Sequence, residues 1–174
     1  AQLGLAYLLQ YIVRRRGWAN WQTLAAGLLW LSFLPNGFYL VTDFVHLNVS
    51  LPATLLFDAV LCMSFALTGL ILGCKSTYLI HNVLIKRVGD KISWGIILSV
   101  LLLSGFAMYL GRYLGWNSWD LFANPFYILF DLFSRFGSAQ ELLATMRTTV
   151  LFFAFNASVY AAFYSAVTRL NMVK

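Results

Sequence analysis

Leu34–Leu47, LPNGFYLVTDFVHL, sets Asn36, Tyr39, Asp43 and His46 in a long stretch almost without charge. Their offsets of 0, 3, 7 and 10 residues confine all four to an arc of about 80° on one helix face. The result is a polar stripe in an apolar setting. Pro35 cannot donate to a helical ladder and biases Leu34 away from helical dihedrals, while Gly37 relaxes them, so the helix must break or end here. Backbone groups freed by the break need protein or water partners, because lipid offers none.

Outward from this stretch, composition sets the class. Of 174 residues, 61% are hydrophobic and 10% charged, and mean hydropathy is +0.77, against about 25% charged in soluble domains. Uncharged runs cover 17–42, 59–74, 92–111 and 148–168, and about 20 residues cross a bilayer core. The first thirteen residues are also uncharged but too few to span alone. They read as the end of a longer helix, because Arg14, Arg15 and Arg16 follow the apolar run, whereas the basic residues of a signal peptide precede it. The predicted fold is a single all-α integral membrane domain over 1–174. It has about five transmembrane helices, the first one truncated and the second broken at Pro35.

The net charge of +6 orients this protein rather than recruiting a polyanion, and no nucleic-acid partner is expected. With Arg14–Arg16 cytoplasmic, alternation of the spans puts Lys75, Lys86, Arg87, Lys91, Arg169 and Lys174 on the same side. Arg112, Arg135 and Arg147 fall opposite, a positive-inside bias. The expected location is a bacterial cytoplasmic or internal membrane, with Arg14–Arg16 and Lys86–Lys91 on the cytoplasmic side. Cys62 and Cys74, twelve residues apart on one helix, lie about 18 Å apart along its axis and read as apolar fillers.

Along the chain, Trp18 and Trp21 suit an interfacial belt at the start of the second span. Asn48-Val49-Ser50 is a glycosylation sequon with a high chance frequency. Pro52 suits the first turn of the third span, with Ser50 or Leu51 as cap. Ser64, Thr68, Gly69 and Gly73 in the third span, and Ser99, Ser104 and Gly105 in the fourth, read as close-packing positions. His81 reads as an interfacial hydrogen-bonder, with a haem or chlorophyll ligand as the rival. The fourth span ends in GRYLGWNSWD, 111–120. Asn124-Pro125 opens and Gly137 stops a helix over 125–136 that is too short to span. Asp131 and Arg135 pair on one of its faces, and Phe126, Leu129, Phe130 and Phe133 cover the rest, as in a helix lying on the outer leaflet. Ser138–Glu141 fits a capping box for the last helix. There Asn156, Tyr160 and Tyr164 recur every four residues among alanines that read as a packing surface, with Asn156 as interhelical glue.

Topology collects five of the six acidic residues, Asp43, Asp58, Asp120, Asp131 and Glu141, at the outer level, with His46, Arg112, Asn117 and Trp119. A bare charge near hydrocarbon costs about 2.5–3.5 kcal/mol or more, so Arg112 should find Asp43, Asp58 or Asp120. This cluster reads first as a structural network stapling helix ends. Acid–base chemistry would use His46 oriented by Asp43, Asp58 or Asp120. A metal site for Zn, Mn or Fe would use Asp43, His46 and Asp58 or Asp120. Asn36, Tyr39, Arg112, Asn117 and Trp119 are the candidate substrate-binding residues.

LPNxxYLxTDxxHL at 34–47, followed by GRYLxWNSWD at 111–120, resembles bacterial multi-pass membrane proteins grouped as domain of unknown function 1361, over most of the chain from about Trp18. The resemblance implies that Pro35, Asn36, Tyr39, Asp43, His46, Arg112, Asn117, Trp119 and Asp120 belong to shared motifs and that an N-terminal span is missing. Relatives often carry Ala where this chain has Gly37. No activity comes with it. Two functions follow from the residues. One is a structural or accessory subunit that docks other membrane subunits or binds lipid or pigment. The other is a membrane-embedded hydrolase or transferase acting on a lipid-linked substrate. A small transporter is third, because one broken helix lacks a second, inverted partner.

Overall fold

The structure, a computed structural model, describes residues 1–49, 54–135 and 138–172; the side chains at 46–49, 132, 135 and 171 fall outside that description. The expected sequon at 48–50, the cap at Ser50 or Leu51 with Pro52, the stop at Gly137 and the Arg135 side chain therefore lie outside the described residues. Helices α1 (Gln2–Arg16), α2 (Trp21–Phe33) and α3 (Pro35–Tyr39) lead into a 3₁₀ helix, Leu40–Val49. They are followed by α4 (Leu55–Val88), α5 (Asp90–Leu114), α6 (Asp120–Ala123), α7 (Pro125–Arg135) and α8 (Ala139–Met172). No strand occurs among the described residues. Helices satisfy their own backbone groups, which an apolar solvent demands.

Four stretches are long and apolar enough to cross a membrane: Trp21–Val45, Leu55–Val88, Asp90–Leu114 and Ala139–Leu170. Helix α1, at 15 residues, is about 22 Å long and packs beside them. Asn20 caps α2 by accepting a hydrogen bond from the Gln22 N–H at 3.0 Å, which explains why this span starts at Trp21 rather than Trp18.

The break at Pro35 takes a gentler form than expected. Helix α2 stops at Phe33 and α3 starts at Pro35, yet Leu34 keeps helical dihedrals, φ −58° and ψ −44°. Pro35 occupies the first turn of the new helix, where its missing N–H has no intrahelical partner to lose. The chain then tightens into the 3₁₀ helix, still heading out along the span.

Contacts between distant positions fix the directions of the helices. Gln2 Nε2 donates to the Gly69 carbonyl at 3.5 Å. Trp30 Nε1 donates to Ser76 Oγ at 2.8 Å, and that hydroxyl donates to the Gln2 carbonyl at 3.1 Å. Helix α1 therefore runs parallel to α4, while α2 and α5 run opposite to it, carrying Tyr39 and Arg112 to one end and leaving Arg14 and Lys86 at the other. An apolar cluster joins all the long helices through residues such as Leu9, Trp30, Phe38, Leu84, Ile97, Leu101 and Tyr160, with polar side chains such as Ser76, His81 and Asn156 buried among them.

Glycines permit the closest approaches. A methyl group on Gly69 would come within 2.5 Å of the Gly37 carbonyl oxygen, and one on Gly105 within 2.8 Å of the Phe153 amide nitrogen. Gly69, Gly73, Ser104 and Gly105 are buried, as the sequence suggested. Ser64, Thr68 and Ser99 instead face outward and donate to carbonyls of their own helix four residues back. Most of the alanines singled out on α8 also face outward: Ala154, Ala161, Ala162 and Ala166 are exposed, so aromatic residues with Ala157 pack that helix inward. Lys75 is exposed beside the buried Ser76, thirteen residues or about 20 Å from the end of α4 at Val88.

Candidate functional site

Gly115 ends α5 in the left-handed conformation, φ 72°, and its N–H and that of Trp116 both reach the Leu110 carbonyl. This reversal carries WNSWD back across the end of the bundle. Ser118 Oγ, on the returning segment, donates to Asn36 Oδ1 at 3.2 Å across 82 positions of sequence. Trp116 Nε1 donates to Asp131 Oδ2 at 3.0 Å, fastening α7 to the same segment. Asp120 accepts from the Asn117 N–H at 2.7 Å, holding the turn that leads into α6.

These contacts border an open cleft of about 500 Å³ between α2–α3, α5 and the 116–129 segment. Toward the middle of the bundle its lining is apolar, with Leu28, Leu31, Leu103, Phe106 and Ala107, of which Leu28 and Leu103 are exposed; toward the end of the bundle it carries Asn36, Tyr39, Asn117 and Ser118 beside Leu110, Leu121 and Ile128. The two long helices beside it run in the same direction, and Leu103 to Gly111 spans eight residues, about 12 Å. The cleft is therefore apolar in the middle of the bundle and mixed at its end, where hydrogen-bonding groups stand beside Leu110 and Ile128.

Arg112 Nη1 stands 4.0 Å from Asp43 Oδ1, with the two side chains 17% and 36% exposed. The pairing follows the cost of a bare charge at this level. At that separation and exposure it contributes no more than about 1 kcal/mol. Asp58 is half-buried in the first turn of α4. Trp119 packs edge-on against Phe33, ring centroids 5.1 Å apart, outside the cleft lining. Of the candidate binding residues, Asn36, Tyr39 and Asn117 thus line one cleft, Arg112 pairs with Asp43 in the turn after Gly111, and Trp119 braces the returning segment.

The acid–base and metal readings both run through His46, whose side chain lies outside the described residues. Among the described residues, no group of three or more His, Cys, Asp or Glu side chains could hold a metal ion. Asp43, Asp58 and Asp120 take separate positions, paired with Arg112, in the first turn of α4 and on the Asn117 backbone.

His81 does hydrogen-bond, from inside the bundle: it is fully buried, its Nδ1 lies 2.8 Å from the Tyr160 hydroxyl, and its ring packs on Trp94 and Tyr164 at 4.8 and 5.1 Å. Asn156 on α8 donates to Met108 Sδ on α5 at 3.5 Å, so it does join two helices. Sequence reasoning missed Ser118 and Trp116 as rim residues, although both lie in the quoted motif. It also missed the apolar wall of Leu103, Phe106 and Ala107, which resembles any spanning segment until α2 and the returning segment are placed against it.

No curated protein and no solved structure matches this chain. A family model described as "Protein of unknown function (DUF1361)" matches residues 2–165, further toward the N-terminus than the two motifs reach, and the chain belongs to that family.

Proposed function

We propose that this membrane protein is a lipid-binding module, holding one amphiphile with its acyl chain in the cleft and its polar head at the rim. The observation that carries this reading is the gradient inside the cleft. Leu28, Leu31, Leu103 and Phe106 line the part nearer the middle of the bundle, open along its side at Leu28 and Leu103, and Asn36, Tyr39, Asn117 and Ser118 offer donors and acceptors at the end of the bundle. An amphiphile has the same gradient along its length. A volume of about 500 Å³ falls within the range of about 300–1,000 Å³ typical of ligand sites. The exposed face of α7, with Phe126 82% and Phe130 74% exposed, supports a helix lying among lipid at the cleft mouth.

Ala107 lines the cleft and is only partly buried, so a larger side chain there fills the cleft without entering the core. Ala107→Trp is expected to reduce the lipid retained by the detergent-purified protein at least tenfold, read as bound mass in native mass spectrometry, with the folded state unchanged. Equal retention by parent and variant would count against the proposal.

A further inference from the structure

At the end of the bundle opposite the cleft, the last turns of α1 and α4 leave an opening of about 290 Å³. Gln10 and Arg14 line it from α1, Trp18 from the connection to α2, and Asn82, Lys86 and Arg87 from α4. Three cations thus converge from two helices, and no acidic side chain lines the space. Among the described residues, none of the three makes an ion pair. The adjacent Arg15 is engaged elsewhere, its guanidinium 4.8 Å from the Tyr11 ring centre.

The carboxyl ends of α1 and α4 meet here, and each adds about half a negative charge. Together they offset about one of the three positive charges, so the opening stays about two units positive. Its neutral lining suits the same ligand: Gln10 and Asn82, both half-buried, can donate hydrogen bonds from their amides. An Arg fork grips two oxygens of one anionic group, and a Lys adds a point charge from any side. A carboxylate is satisfied by one Arg. A phosphate presents further oxygens to the second helix.

We infer that this opening binds a phosphate-bearing anion, gripped by Arg14 from α1 and by Lys86 and Arg87 from α4. Its place at the ends of spanning helices, beside Trp18, is the depth of phospholipid head groups. Lipid phosphodiester and free phosphate share the recognised chemistry, and this site is separate from the cleft around Asn36.

The test titrates the full-length protein in neutral detergent with phosphatidylglycerol, phosphatidylcholine and inorganic phosphate, following bound mass and thermal unfolding. The parent is compared with Arg14→Gln/Lys86→Gln/Arg87→Gln and with Arg15→Gln/Arg16→Gln/Lys91→Gln, which loses the same three charges outside the opening. Binding of phosphatidylglycerol over phosphatidylcholine, weakened by about ten- to a hundredfold in the first triple variant only, supports a lipid-borne phosphate. Protection by inorganic phosphate with the same variant dependence supports a soluble one. Equal weakening in both triple variants, or binding of neither anion, would overturn the inference. If the first triple variant does not purify, Arg14→Gln/Lys86→Gln carries the same comparison. Ala107→Trp leaves this selectivity unchanged, so failure here and failure of the cleft reading are distinguishable.

Discussion

Gly105→Val is expected to destabilise the protein by about 3 kcal/mol or more and to loosen the whole α5–α8 contact. Helices in lipid gain nothing from hiding apolar surface from one another, so close van der Waals packing holds them together. A first side-chain carbon at position 105 would stand 2.8 Å from the Phe153 amide nitrogen and 2.9 Å from the Thr149 carbonyl oxygen. Both are backbone atoms of α8 and cannot rotate away, so the helices must separate. Overpacking of this kind costs about 1–3 kcal/mol even where side chains can adjust, and here they cannot. Separation also stretches the Thr145 to Tyr109 hydroxyl bond, 2.8 Å, and the Asn156 to Met108 contact. Unfolding in detergent by increasing mole fraction of dodecyl sulfate measures the loss; Gly105→Ala should shift the midpoint the same way by less. An unchanged midpoint for the valine variant means that α5 and α8 do not approach this closely.

Tyr160→Ala is expected to cost about 3–5 kcal/mol, the range for emptying a buried aromatic site. Tyr160 is fully buried against His81 and packs with Trp94 and Tyr164 at ring distances of 5.9 and 6.2 Å. Truncation leaves a void between α4, α5 and α8 and removes the partner of His81 Nδ1, whose ring already has Nε2 buried without a hydrogen bond. Tyr160→Phe keeps the ring and removes only the hydroxyl, so it should cost about 1 kcal/mol, the usual net worth of one hydrogen bond. The ratio of the two losses, from the same unfolding measurement, separates packing from hydrogen bonding. Equal losses would make the His81–Tyr160 bond, not the ring, the source of stability.

What the sequence made legible and what it concealed differ in physical kind. Uncharged runs reveal spans because hydrocarbon thickness is a fixed length, and the Pro35 break was legible because proline lacks a donor. The joint at Leu34 was not, since a proline in a first helical turn leaves helical dihedrals intact. That Arg112 would meet an acid followed from the cost of a bare charge; that the acid is Asp43 depended on how the 3₁₀ helix lies beside α5. Small outward residues misled for a related reason. Ser64, Thr68 and the α8 alanines suit close packing anywhere in lipid, and composition does not say which side of a helix meets a neighbour. That His81 makes a hydrogen bond was legible, but its partner was not, because Tyr160 lies 79 positions away. The cleft was half legible: its polar rim stood in the two motifs, while its apolar wall became a wall only when three separate segments met.

That meeting underlies the lipid-binding proposal, and proximity of Asn36 to Ser118 measures it. Asn36→Cys and Ser118→Cys, placed together in a chain carrying Cys62→Ser and Cys74→Ala, are treated in native membranes with a short bifunctional thiol reagent. Cross-linking within one chain, read as a compact band by electrophoresis, is the expected result, with no such band when Ser118→Cys is paired with Lys86→Cys at the far end. Failure of the Asn36–Ser118 pair to cross-link, with both thiols reactive toward a monofunctional reagent, would contradict the cleft and the function proposed for it.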